Sequence, residues 1–128
     1  MMLITKEIAS KLKKADDAFV ASEDGETTDE ISLKLFAPWG AATWYIVRGT
    51  PLDSINGEPV DDPADAKDWH LFGFANLGDP MCAELGYVLL SELESVNGPF
   101  GLKIERDRNY TGSLKEVMAK TYGERGAA

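Results

Sequence analysis

His70, the only histidine of the chain, follows Asp68-Trp69 and opens an apolar run. An imidazole is the usual general base near neutral pH, and a carboxylate two residues away could orient it. A nucleophile beside it is harder to find. The chain has no Gly-x-Ser-x-Gly elbow to present a serine, so a Ser-His-Asp set would have to be assembled from distant segments. The plainer reading is a sheet residue with one ring nitrogen hydrogen-bonded. Cys82, the only cysteine, lies between Asp79 and Glu84. These charges would raise a thiol pKa, the reverse of what a nucleophilic thiolate needs, so Cys82 reads as an incidental thiol. One histidine and one cysteine exclude a Cys/His zinc cluster, and no carboxylates follow the EF-hand spacing. "DDPADAKD", residues 61 to 68, could hold a hard cation weakly through Asp61, Asp62, Asp65 and Asp68, but reads first as a solvated acidic loop. Gly73, Gly78, Gly86, Gly98 and Gly101 form neither a P-loop nor a dinucleotide fingerprint. No metal or other cofactor is expected.

Charge carries more information than any single group. The 128 residues include 13 Lys plus Arg against 22 Asp plus Glu, a net charge of -9. Residues 15 to 30, "ADDAFVASEDGETTDE", hold seven carboxylates and no base; residues 53 to 68 hold six and one lysine. Such a surface repels phosphate backbones and attracts basic protein grooves. The bases gather only at Lys11, Lys13 and Lys14 and at Arg106 and Arg108, so direct nucleic-acid binding is not expected. The mixed cluster Glu105-Arg106-Asp107-Arg108 is either part of a site or the charged edge of a fold.

The elements that must position these residues follow from periodicity. Thr5, with Ile8, Leu12 and Ala15 at three- and four-residue steps, predicts a capped helix over 5–15. "ISLKLFA" (31–37) and "ATWYIVR" (42–48), joined by Pro38-Trp39-Gly40, predict a hairpin with Ile31, Leu33 and Leu35 inward. Residues 49–68 carry Pro51, Asn56-Gly57, Pro59 and Pro63 and read as a long loop with at most one short strand or helical turn. "WHLFGFAN" (69–76) and "ELGYVLL" (84–90) return to strand composition. Ser91 and Glu94 have capping-box spacing, predicting a short helix that stops at Asn97-Gly98-Pro99. "LKIERD" then reads as a strand with Leu102 and Ile104 inward, and Ser113 with Glu116 repeats the capping box before a helix striped by Leu114, Val117, Met118 and Tyr122. This order predicts an α+β fold. An antiparallel sheet of about four to six strands would carry N-terminal, short central and C-terminal helices on one face or end.

A chain of this length and a hydrophobic fraction of 44% suit one globular domain, placed at 1–123, with 124–128 as a flexible tail. No apolar run approaches membrane-spanning length, and a lone cysteine fits a reducing compartment, so a cytoplasmic location is expected.

"MLITKEIASKL" (2–12), "LKLFAPWGAATWYI" (33–46), "LFGFANLG" (71–78) and "ELGYVLLSELESVNGPFGLKIERD" (84–107) together resemble a family of small bacterial proteins, domain of unknown function 2958, found among plasmid, phage and integrative-element genes. The resemblance implies no catalytic residue. It implies a setting, in which small acidic proteins often bind a host defence complex.

Two classes of function follow. The first is a non-enzymatic interaction protein of the anti-CRISPR or anti-restriction kind, whose carboxylates bind a basic groove of a host protein or nucleoprotein complex. The partner-facing residues would be Asp16, Asp17, Glu23, Asp24, Glu26, Asp29, Glu30, Asp61, Asp62, Asp65 and Asp68, with Trp39 as an aromatic anchor in the hairpin turn. The second is a small enzyme or ligand-binding domain with a pocket collecting Trp44, His70, Glu84, Arg106 and Asp107 from neighbouring strands. The first is preferred, because the charge asymmetry is evident and no catalytic constellation is.

Overall fold

Thr5 adopts extended backbone and its hydroxyl accepts the N–H of Ile8 at 3.2 Å, starting helix α1 at Lys6. The computed structural model of the chain, which describes residues 3–26 and 28–126, carries this helix to Ala21. That is well past the expected end at Ala15. The consecutive acids Asp16 and Asp17 do not break it because each has a partner: Arg48 for Asp16, and Lys13, one turn back, for Asp17. Ser22 ends it, its N–H and hydroxyl both donating to the Phe19 carbonyl at 3.2 and 2.8 Å.

Five antiparallel strands follow: β1 (Leu33–Phe36), β2 (Thr43–Leu52), β3 (Asp68–Asn76), β4 (Glu84–Leu89) and β5 (Glu105–Arg106), ordered β4-β3-β2-β1-β5. The hairpin forms as expected, with Leu33 opposite Ile46 and Phe36 opposite Thr43. Strand β2 then continues through Gly49 and Pro51, where the sequence predicts a loop. β1 pairs no further along β2 than Ile46; beyond it that side of β2 meets only an isolated bridge, Leu52 to Pro59, in which the Pro51 carbonyl accepts the Val60 N–H at 2.9 Å and no N–H is required of Pro51. A bulge between Ile46 and Arg48 shifts the register with β3.

Helix α2 (Leu90–Glu94) follows β4 directly, and α3 spans Leu114–Gly126. Successive β2 residues Ile46 and Val47 belong to different apolar clusters, which places the clusters on opposite sides of the sheet. Leu12 of α1 and Leu90 and Leu93 of α2 join Leu33, Leu35, Ile46, Trp69 and Leu71 on one side. Leu114, Val117 and Met118 of α3 join Val47 and Phe74 on the other. The division of helices between both faces is not readable from the alternation alone.

Three local expectations change. Ser91 caps no helix, since its hydroxyl is committed to Asp68. The late strand shrinks to Glu105–Arg106 because the Gly98 N–H donates to the Leu102 carbonyl at 2.8 Å, closing a loop through Phe100 and Gly101, both at positive φ; Leu102 is left exposed while Ile104 is buried. Helix α3 takes in 124–126, for which the sequence predicts a tail; residues 1, 2, 27, 127 and 128 of the expected domain and tail lie outside the described residues. No helix among the described residues is long and apolar enough to cross a membrane.

Candidate functional site

The acidic residues divide by what their oxygens do. Asp16 is buried at 8% exposure, and its carboxylate accepts from Arg48 Nη1 at 3.1 Å and Thr50 Oγ1 at 2.9 Å. The Arg48 guanidinium carbon lies 3.7 Å from the Phe19 ring centroid and 4.4 Å from that of Phe72, and Nη2 donates to the Tyr87 hydroxyl at 3.0 Å. His70 stacks on Tyr87 with centroids 4.5 Å apart and planes 12° from parallel. Register explains the grouping: Arg48 faces Phe72, Phe72 faces Tyr87 and Thr50 faces His70, so all share one side of the sheet. Arg48 was not singled out in the sequence. The available signal was an arginine between Val47 and Gly49 inside an apolar strand, where only a paired charge is tolerated. His70 is exposed, and the hydroxyl opposite it in the ladder, on Thr50, donates to Asp16.

Asp68 is 1% exposed and accepts four hydrogen bonds: from the N–H groups of Asn56, Trp69 and Ser91 at 3.1, 2.8 and 2.9 Å, and from the Ser91 hydroxyl at 2.7 Å. Burial pushes its carboxyl pKa up, but these bonds, led by the Ser91 hydroxyl, together outweigh burial and hold it below the ordinary value of 3.8. Asp16 and Asp68 therefore leave the partner-facing set, and Asp68 turns away from any cation site on the 61–65 loop. Among the described residues no three His, Cys, Asp or Glu side chains gather as a metal-binding group.

The remaining carboxylates are exposed. Asp29 accepts the N–H of Lys115 and Asp62 that of Ala64, both at 2.9 Å, and Asp17 pairs with Lys13. Glu23, Asp24, Glu26, Glu30, Asp61 and Asp65 are the exposed remainder. Trp39 is corrected as well. It is half-buried against the core, and a Cβ on Gly98 would come within 2.3 Å of its ring, so the indole is a packing residue.

The alternative pocket does not assemble. Trp44 and Glu84 line a cleft of about 330 Å³ on the α2 side of the sheet. Arg106 and Asp107 line another, of about 270 Å³, beside Lys11, Lys34 and Tyr110. His70 lines neither, lying on the Tyr87 side of β3. The charge cluster on β5 is a fold edge: Arg106 Nη1 donates to the Leu3 carbonyl at 3.1 Å, and Asp107 pairs with Lys34 at 3.4 Å. Lys34 Nζ also stands 4.6 Å from the centroid of the Tyr110 ring, whose hydroxyl pKa is pushed up by burial, then by Tyr45, against the opposing pull of Lys34.

A sequence model of the family described as "Protein of unknown function (DUF2958)" matches residues 3–120. The chain belongs to this family. Among curated proteins and among solved structures, none matches it. The stretches that carry the DUF2958 resemblance are architectural here: α1, the β1–β2 hairpin, β3, and the run from β4 through α2 to β5. In this DUF2958 chain the Asp16–Arg48 clamp and the Asp68 staple both fall within or beside those elements, and both hold helices to the sheet.

Proposed function

We propose that the protein is a non-enzymatic acidic interaction protein of a mobile element that inhibits a host defence complex, of the anti-CRISPR or anti-restriction kind, by occupying a basic nucleic-acid groove. The setting comes from the family resemblance, and the mode of action from the surface. The observation that carries it is that both acidic segments border the same helix. Glu30 runs beside Lys11, Lys14, Ala15 and Ala18 of α1, and the Pro63–Asp65 turn packs against α1. Bordering one helix is what supports the reading of these carboxylates as a single acidic surface.

The test is affinity capture from a host lysate with the wild-type chain and with a neutralised variant carrying Glu23→Gln, Asp24→Asn, Glu26→Gln, Asp61→Asn and Asp65→Asn. Wild type is expected to retain a nucleic-acid-binding protein that duplex DNA displaces and salt above about 0.5 M releases; the variant retains none. Capture that survives both neutralisation and salt sinks the reading.

A further inference from the structure

The two edges of the sheet differ. Strand β5 is two residues long, Glu105–Arg106, with Asp107 and Arg108 next in sequence: short and charged, as edges that resist pairing are. Strand β4, the opposite edge, is six residues, Glu84–Leu89, with neither lysine nor proline. Every other residue of such an edge turns its N–H and C=O away from the sheet. Among the described residues no further strand pairs with β4. Leu85 and Tyr87 are 42% and 54% exposed on one side of it.

On its other side β4 borders the cleft of about 330 Å³. Gly73 faces Gly86 across the β3–β4 ladder, so the floor there has no side chain, and a Cβ on Gly86 would meet nothing within 4 Å. Ile46, Val88, Leu93 and Val96 give the cleft apolar walls; among the described residues its only charged lining groups are Glu84 and Glu92, both exposed and with no ion pair there.

We propose that the β4 edge is a docking site for an extended segment of a partner protein that adds a sixth strand to the sheet. A strand beside β4 would lie about 4.8 Å away and place alternate side chains on the cleft side. The cleft fits one large apolar side chain passing over Gly86. Residues two positions to either side of it would lie opposite Glu84 and Val88; with Glu92 of α2 as the cleft's second carboxylate, both should be basic. The segment therefore reads basic–x–apolar–x–basic. A second copy of this chain is the wrong occupant: it would bring the same carboxylates and a further charge of -9 to an edge that offers no base. The inference does not depend on the acidic surface along α1.

The probe is the capped peptide Thr-Lys-Val-Phe-Val-Lys-Thr, which presents the two lysines and the phenylalanine on one side in either strand direction. Binding is followed by fluorescence anisotropy and by amide hydrogen exchange. Exchange of β4 amides should slow at least about tenfold at saturation, as newly formed cross-strand hydrogen bonds protect them. Gly86→Leu, which fills the cleft mouth at an open position, should abolish binding. Glu84→Lys with Glu92→Lys should weaken it at least about threefold and restore it for the peptide with glutamates in place of lysines. The variant neutralised at Glu23, Asp24, Glu26, Asp61 and Asp65 should bind the peptide as wild type does, which separates this test from that of the proposed function. No binding at millimolar peptide overturns the proposal. So does equal binding of a peptide N-methylated on alternate residues, which would mark a small-molecule cleft with no strand pairing. Concentration-dependent dimerisation that Gly86→Leu abolishes overturns it in favour of a second copy.

Discussion

Arg48 of β2 joins α1, β3 and β4, and its energetics follow from burial. Its side chain and that of Asp16 are 6% and 11% exposed, so each charge has lost most of its water and depends on the other. Removing one partner leaves a buried, uncompensated charge, which typically costs about 3–5 kcal/mol, whereas an exposed pair such as Lys13–Asp17 is worth about 0.2–1 kcal/mol. Arg48→Met, which retains an apolar stem against Phe19 and Phe72, is expected to lower unfolding stability by several kcal/mol in urea titration. Asp17→Asn is expected to change it by less than about 1 kcal/mol. Adding Asp16→Leu to Arg48→Met should recover much of the loss, because no charge is then buried. Equal effects of Arg48→Met and Asp17→Asn would show that Asp16 reaches water and that the clamp is superficial. The arginine's identity is legible in the sequence, but its partner is not: Asp16 and Arg48 are 32 residues apart, and nothing local says which of many acids turns inward.

Asp68 acts between elements, tying the loop at Asn56, the start of β3 and the start of α2 to one carboxylate. Its pKa is lower folded than unfolded, so the folded state binds fewer protons in the window between the two values. The stability it contributes is fully present above the unfolded value of about 3.8 and is lost as pH falls through the lower folded value. Wild type and Asp68→Asn should therefore differ in denaturation midpoint by a constant amount from pH 5 to 7 and converge as pH drops below 4; a gap that stays constant into acid would remove the carboxylate from the account. This same contact shows why the sequence was legible in places only. Ser113 does cap its helix as its spacing with Glu116 predicts: its hydroxyl accepts the Glu116 N–H and donates to the Glu116 carboxylate, both at 3.2 Å, so the hydroxyl serves its own helix. Ser91 and Glu94 have the same spacing, and there the hydroxyl goes to a buried carboxylate 23 residues away. Period and turn residues thus set where strands occur and the β1–β2 hairpin, while the ends of β2 and β5 and the order of the sheet come from the packed structure. Whether a polar side chain serves its own helix or a distant strand depends on the packed structure, which is also why Asp68 and Trp39 moved from a surface reading to an interior one.

At the scale of the whole molecule, the net charge of -9 is poorly compensated. The described ion pairs are Lys13–Asp17, Lys34–Asp107 and Arg48–Asp16, against 22 acidic residues in the chain. Exposed acids on the segments bordering α1 repel one another in the folded state more than in an expanded one, a cost that grows as screening falls. Raising sodium chloride from about 10 to 150 mM shortens the screening length from about 30 to 8 Å, which relieves repulsion between loops while leaving the buried Arg48–Asp16 pair nearly untouched. The thermal midpoint at pH 7 should therefore rise with salt, by about 3–5 °C if roughly 1 kcal/mol of repulsion is removed from a domain of this size. Neutralising Glu23, Asp24, Glu26, Asp61 and Asp65 should raise the low-salt midpoint and shrink the salt response together, measured by calorimetry at the two salt concentrations. A midpoint that falls with salt would mean that attraction among surface charges outweighs repulsion. A basic partner of the proposed kind would neutralise on binding the same repulsion that salt screens in the free protein.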